Sequence, residues 1–465
     1  MAVLFAGAVL RLLVMVGYAP GFWFLGDTSV YLEGAYSHVP NQARPWGYSF
    51  YLWLMSPFHS VRLIVGIQHL VGLGIAVLMY AFLRRRAVSR LLATVAVAPV
   101  LLDARTVALE HFLLAEALFT AMLLTALVLL CWRPRPGWVA CAGAGALLAG
   151  ATVTRTIGLP VALLVGLYLV VRWVGWARLG AFALALVIPV AGYMVWYHGH
   201  HGAYSLSTYS GRFLWARTTT FVECDQVRLT PAEQQICPAE PIAERRPADV
   251  YLWSRHSPAA KFRAAEHDAM FGSFARKAIL AQPGDYAWMI AVETWQMSRP
   301  GPAPNERYAC FDGIWQLPGR PVTACRPLMA PFDPATLRAS RDSSAHQHAL
   351  VGPLHAYSRV ATAPPGVVAA CFLLVLAAPL VRRRWRRIGP ATRRDTVDAL
   401  MLGGVGFGMV VVSIATSVME PRYAVPSLPV ALLAAALALR PTRSPAPAPT
   451  PAPALPHDQG VPPWG

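Results

Sequence analysis

Gly21-Phe-Trp-Phe-Leu-Gly-Asp27-Thr-Ser-Val-Tyr31, running on to Arg44-Pro-Trp-Gly-Tyr48, is the stretch that decides how the chain is built. An apolar run from Met1 to Leu25 stops abruptly on Gly26-Asp27, and the residues that follow are too polar and too proline-broken to span a bilayer. They are also too aromatic (Trp23, Tyr31, Tyr36, Trp46, Tyr48, Tyr51, Trp53) for an ordinary solvated loop. Aromatic rings at this density suit the headgroup level of a membrane. A carboxylate placed there lies where a lipid-borne substrate presents its polar end. Asp27 therefore reads as a candidate catalytic centre, its bland alternative being a helix cap or a stop to the first span.

The composition agrees with a membrane setting. Of 465 residues 56% are hydrophobic and only 14% charged, and the mean hydropathy is +0.44. Such a chain holds several stretches long enough to cross a bilayer. The formal charge of +17 would suggest nucleic acid until it is located. It gathers as arginine at 84–86, 133–135, 172–178 and 382–394, whereas the polar segment 199–358 carries 16 Lys+Arg against 14 Asp+Glu. Basic clusters after alternate apolar stretches are a positive-inside topology signal, which excludes a nucleic-acid partner.

Ten spans satisfy that pattern. Met1–Leu25 carries no basic leader and no small-residue cleavage site, so it reads as the first span and not as a signal peptide. Arg11 within it snorkels or faces the bundle interior, unless the true start codon lies upstream. Further spans are expected at 61–83, 91–109, 112–132, 138–153, 156–174, 179–197, 360–381, 398–418 and 424–439. The fold class is thus all-α and polytopic. It comprises a transmembrane module 1–198 with its first outer loop at 20–60, an extracytoplasmic domain 199–358, C-terminal transmembrane helices 359–440, and a disordered Pro/Ala-rich tail 441–465. Within the domain, 258–280 and 286–297 read as amphipathic helices, and 299–304 and 317–334 as loops. The location is the cytoplasmic membrane, with the domain and the site on its outer side.

Cys131, Cys141 and Cys371 lie in apolar runs and read as small buried hydrophobes. Cys224, Cys237, Cys310 and Cys325 lie in the polar segment, where an even number suggests disulfides in an oxidising compartment. Three pairings exist, and the local ones, Cys224–Cys237 and Cys310–Cys325, are favoured. No CxxC spacing supports zinc.

The ten-span topology places Asp27, Glu110, His111, Arg155, Glu420 and Arg422 on one outer face. Glu116 falls several residues into an apolar helix, where an unpaired carboxylate costs a few kcal/mol. Glu110 and His111 have a solvated turn as their alternative reading, and the arginines have interfacial anchoring of a helix end. Arginine offers a fixed fork of donors suited to phosphate, and the outer loops hold few arginines: Arg44, Arg105, Arg155 and Arg422.

These pieces together resemble the GT-C superfamily of polyprenyl-phosphate-sugar glycosyltransferases, which includes protein O-mannosyltransferases and the lipid A aminoarabinose transferase. The matching residues are Gly26-Asp27 with Tyr31, Pro45-Trp-Gly47-Tyr48, Leu109-Glu110-His111, Leu114-Ala115-Glu116, Thr154-Arg155 and Glu420-Pro-Arg422-Tyr423. Ala115 stands where actinobacterial-type members often carry Ser, and Asp27 lacks the second acid that many relatives have beside it. The resemblance implies transfer of a sugar from a polyprenyl monophosphate to a hydroxyl of a glycan, lipid or protein acceptor. In that scheme Asp27 is the base, Arg155 and Arg422 hold the phosphate, and Glu420 fixes Arg422. Tyr31 and Glu116 belong to the substrate site, and Glu110 or His111 assists Asp27 or orients the acceptor. The sequence indicates no metal and names no cofactor, and a divalent cation stays open. A secondary transporter or lipid flippase is the rival class. Transporters place charges near the bilayer midplane and show internal repeats, and no repeat is evident here.

Overall fold

The protein is described from a computed structural model, which covers residues 1–24, 26–301, 303–319, 349–384 and 393–440. The expected tail 441–465 and Cys325 lie outside the described residues, as does the proposed Cys310–Cys325 pairing. Among the described residues the secondary structure is helical, with a single isolated bridge between Phe22 and Phe112.

Each of the ten apolar stretches forms a helix, but most are shorter than a membrane span. Val61–Arg85, Trp176–His201, Arg394–Thr416 and Pro421–Leu439 are long and apolar enough to cross a membrane. A fifth span results if Arg90–Leu102 and Ala104–His111, bent by 47° at their junction, count as one. The other apolar helices are Ala2–Gly17, Glu116–Trp132, Trp138–Thr154, Gly158–Val171 and Gly366–Leu380, each of 10–17 residues. By length the described residues thus hold four or five membrane-length helices where ten were expected. The reason is local. A helix rises about 1.5 Å per residue and needs about 20 residues to span the hydrocarbon core. Ala2–Gly17 stops ahead of Ala19-Pro20-Gly21, Glu116–Trp132 ahead of Arg133-Pro134, and Trp138–Thr154 at Arg155.

The bent pair shows how sequence sets geometry. Ser89 caps the first half through Leu92 N, and Pro99 lies inside it. The chain turns extended at Asp103, whose carboxylate caps the second half through Thr106 N at 2.7 Å and also accepts from Ala363 N. A buried cap of this kind is worth about 1 kcal/mol. The bend aims Glu110 and His111 into the bundle, after which Phe22 and His111–Leu113 exchange backbone hydrogen bonds.

The first loop folds as two short helices, Thr28–Ser37 and Gly47–Met55, joined through Trp46 Nε1 donating to the Gly34 carbonyl at 2.7 Å. A Cβ at Gly47 would come within 2.5 Å of Thr154 Oγ1 and 2.7 Å of the Val153 carbonyl. Only glycine lets this loop close on the hairpin that carries Arg155. Trp23, Tyr31, Tyr48 and Tyr51 are buried in the core there, and Tyr36 and Trp53 are exposed. The aromatic density that suggested an interface is therefore largely core packing.

The polar segment has its own hydrophobic cluster, built on Trp215, Ile236, Leu252, Phe271 and Phe274 and reaching Val418 and Tyr423. A Cys224–Cys237 disulfide closes one of its loops. The two expected amphipathic helices appear as Ala264–Ala281, entered from a 3-10 turn at Pro258–Lys261, and as Pro283–Ser298. Cys131, Cys141 and Cys371 are free and buried.

At the opposite end of the bundle, Arg86 pairs with Asp395 and Asp398. Arg172 also reaches Asp398, and Arg440 reaches Asp395. These arginines tie four helix ends together, so part of the basic charge is structural.

Candidate active site

Asp27 sits at the turn into Thr28–Ser37. Its backbone is pinned because Thr28 Oγ1 accepts from Phe24 N and donates to the Leu113 carbonyl. The side chain is 4% exposed yet doubly paired. Oδ1 accepts from Arg44 Nε at 2.9 Å, and Oδ2 accepts from Arg422 Nη1 at 2.7 Å. Arg422 comes from the 3-10 turn Pro421–Ala424. Its Nε lies 2.9 Å from Glu420 Oε1 and its Nη1 3.9 Å from Glu116 Oε1. The guanidinium is enclosed by the rings of Phe24, Trp315 and Tyr423, at 5.3, 4.9 and 5.4 Å. Arg155 pairs with Glu116 Oε1 and lies 5.7 Å from the Tyr423 ring.

Four separate tips of the chain thus supply one cluster of three arginines and three carboxylates. It borders a cavity of about 380 Å³ lined by Asp27, Tyr31, Arg44, Arg155, Arg422 and Tyr423, together with Ser210 and Phe213 of the polar segment. Glu116 and Glu420 do not line the cavity and reach the arginines from behind. Arg44 also packs over the Phe213 ring at 5.3 Å, which links the polar segment to the Asp27 pair.

The electrostatics divide the carboxyls. Burial pushes the Asp27 carboxyl up, but the Arg44 and Arg422 guanidiniums outweigh it and hold Asp27 well below the usual carboxylate range. Burial pushes the Glu420 carboxyl up, and Arg422 offsets this only in part because Asp27 and Glu116 add negative charge nearby. Glu420 Oε1 and Arg422 Nε, although close, are misaligned, and neither finds a hydrogen-bond partner; Glu116 Oε2 also has none. Tyr31 is buried with its ring 4.9 Å from that of Tyr48, and burial raises its phenol, which keeps it a neutral donor.

Glu110 and His111 are placed elsewhere. Glu110 is buried and takes both forks of Arg11, Nε at 2.8 Å and Nη2 at 2.7 Å. His69 Nδ1 lies 2.9 Å from Glu110 Oε2, His69 Nε2 lies 3.1 Å from His111 Nδ1, and His111 Nε2 lies 2.9 Å from the Tyr18 carbonyl. Three such contacts need three hydrogens across two imidazoles, or two with the third on Glu110. Neither residue is solvated, and neither touches Asp27. Arg11 faces the interior and also donates to the Gly7 and Leu101 carbonyls.

Sequence reasoning gave no role to His69, Gln68 or Trp315, and named Arg44 only as one of four outer-loop arginines suited to phosphate. Gln68-His69 in the middle of an apolar span was an available signal, since a polar pair there demands partners. Gln68 Nε2 donates to the carbonyls of Glu110 and Phe112 at 2.8 Å each. Among the described residues no group of three or more His, Cys, Asp or Glu has metal-holding geometry. No known family, curated protein or solved structure matches the chain.

Proposed function

We propose that the chain is a membrane glycosyltransferase that moves a sugar from a polyprenyl monophosphate to an acceptor hydroxyl on the extracytoplasmic side of the cytoplasmic membrane. One observation carries the reading: a buried carboxylate held between two arginines on the wall of a cavity large enough for a sugar phosphate. Nothing in a structural tie requires a cavity at that point.

Asp27 in the empty site is a weak base, because two guanidiniums stabilise its ionised form. A donor phosphate engaging Arg44 or Arg422 draws charge away from Asp27 and makes the carboxylate more basic as the reactants assemble. The acceptor O–H proton then passes to Asp27 while the acceptor oxygen forms its bond to the anomeric carbon. The bond from that carbon to the phosphate oxygen breaks, and its electron pair leaves on the phosphate. Preorganised cations stabilise that growing charge, and attack opposite the leaving group inverts the anomer. Arg155 and Tyr31 border the same cavity and are placed to contact the sugar phosphate. Ser210 and Phe213 bring the polar segment to the mouth, where the acceptor is selected. Ten membrane crossings, with the bilayer thinned around the shorter helices and their loop ends completing the spans, and a disulfide-bonded domain outside, complete the arrangement.

The test is sugar transfer by membranes carrying the wild type and Asp27→Asn, supplied with radiolabelled polyprenyl-phosphate sugars. Transfer by the wild type alone, at equal protein level, supports the reading, and equal transfer by both removes Asp27 as the base.

A secondary transporter is the second reading, favoured by the buried Arg11–Glu110–His69–His111 chain, since ionisable residues inside a helical bundle often carry protons. Proton-driven uptake lost in His69→Leu, with no glycosyl transfer by the wild type, would select it.

A further inference from the structure

The cluster around Asp27 is balanced charge for charge: Arg44, Arg155 and Arg422 against Asp27, Glu116 and Glu420. A phosphate monoester adds one or two negative charges to a site whose cations are already matched. Burying uncompensated charge is costly, so one carboxyl must gain a proton or leave. Asp27 and Glu116 are each bonded to a guanidinium that also borders the cavity. Glu420 is different. It is 3% exposed, lies behind Arg422, and holds Oε1 near Nε without a hydrogen bond. The groups that face it are Arg422 and Tyr423 on its own turn, Asp27 of the first loop, Glu116 of the Glu116–Trp132 helix, and Arg155 of the hairpin. A proton there removes two carboxylate repulsions at once and leaves the whole of the Arg422 charge to face the cavity.

We propose that Glu420 is a positioning residue and the proton site coupled to the cavity: a phosphate monoester binds against Arg422 with uptake of one proton at Glu420. The inference rests on the reading that the cavity receives a phosphate-bearing ligand. It predicts an affinity that strengthens about tenfold per pH unit of acidification, across the range between the free and bound titrations of Glu420. A purely structural Glu420 would not move that slope.

The experiment is calorimetric binding of farnesyl phosphate to the full-length protein in detergent at pH 7, in two buffers of different ionisation enthalpy, which counts protons. The probe's own second ionisation, near pH 6, is common to wild type and Glu420→Gln and cancels in the comparison. The expected result is about one more proton taken up by the wild type than by Glu420→Gln. The variant should bind at least tenfold more tightly at this pH, with a shallower pH slope. Equal uptake by the two proteins overturns the Glu420 assignment and leaves the phosphate reading standing. No binding by either overturns both. If the variant does not fold, farnesyl sulfate with the wild type decides, because that probe gains no proton near neutrality: uptake supports the site and its absence removes it. Inorganic phosphate separates a lipid headgroup, which binds more tightly than the free ion, from free phosphate, which binds as well as the lipid.

Discussion

Arg422 Nη1 donates to Asp27 Oδ2 at 2.7 Å across 395 residues of sequence. The contact joins the end of the first apolar stretch to the start of the last. The first and last apolar stretches must therefore be brought together for the pair to form. The guanidinium is further confined by Phe24 and Trp315, so its fork is aimed before any ligand arrives. Asp27→Asn keeps the shape and removes the base, and should lower the turnover of sugar transfer about 10²–10⁴-fold. Arg422→Lys cannot hold Asp27 and Glu420 together and should cost turnover by a comparable factor. Both are read from initial rates at equal protein level.

Arg44 holds the other oxygen of Asp27, and its loss has a signature of its own. Removing a guanidinium raises the carboxyl, so the base becomes protonated at higher pH. Arg44→Ala should move the acid limb of the transfer rate to higher pH, whereas Arg44→Lys should leave it nearer the wild type. A pH–rate profile of the three proteins tests this. Coincident acid limbs would mean that Asp27 does not titrate in the reaction.

Asp27 and Glu420 should influence stability against pH with opposite sign. The folded-state value of Asp27 is depressed. Its contribution is present above the ordinary carboxylate value, about 3.9, and is lost as pH falls through the depressed one. The folded-state value of Glu420 is raised, so its contribution is full below about 4.3 and is lost as pH rises through the raised value. At neutral pH Asp27→Asn should lower the melting temperature, while Glu420→Gln should leave it unchanged or raise it. Melting of the detergent-solubilised proteins between roughly pH 4 and pH 8 separates the two. The Asp27→Asn deficit should stay constant across that range, because the Asp27 window lies below it, while the Glu420→Gln difference should change with pH.

Much of this could be read from the chain before folding, and the limits have physical causes. Ten apolar stretches were visible as hydropathy, and all ten are helices. Their lengths were not visible, because a capping residue, a proline or a single arginine ends a helix without changing the average around it. Asp27, Glu116, Arg155, Glu420 and Arg422 stood out as charges against apolar surroundings, and they do converge on one cluster. Arg44 was visible as one of four outer-loop arginines, but nothing in the sequence chose it over Arg105 as a partner of Asp27, because an arginine in a polar loop looks solvated until the loop folds back. Glu110 and His111 were visible as charges, but their partners depend on the 47° bend before Ala104. No local pattern fixes the direction of such a bend.

The polar segment offers a covalent check. Cys224 and Cys237 are bonded, while Cys131, Cys141 and Cys371 are free and buried. Of these five, none should be labelled by alkylation of the folded protein without reductant, and denaturation without reductant should expose the three apolar ones but neither Cys224 nor Cys237, as peptide mapping would show. Closing a loop of 13 residues' separation stabilises by roughly 3 kcal/mol in the chain-entropy description. Cys224→Ser should therefore lower the segment's resistance to proteolysis. Labelling of Cys224 in the denatured, unreduced wild type would refute the bond.

Gly72 tests whether the second buried cluster is held as tightly as its geometry suggests. A Cβ built at Gly72 overlaps Glu110 Oε1 and Cδ, so the Val61–Arg85 helix can approach the carboxylate only at a glycine. Gly72→Ala would normally help a helix by about 1 kcal/mol. Here it should destabilise by about 1–3 kcal/mol, because Glu110 is fixed by Arg11 and His69 and cannot step aside. His69→Leu should cost more, roughly 3–5 kcal/mol, if the extra proton sits on the imidazole and the pair is ionic. A smaller loss would place that proton on Glu110, making the contact a neutral hydrogen bond worth about 1 kcal/mol. Denaturant or thermal unfolding of the two variants therefore reads the position of a buried proton. A Gly72→Ala protein more stable than wild type would show that the Glu110 side chain is free to move.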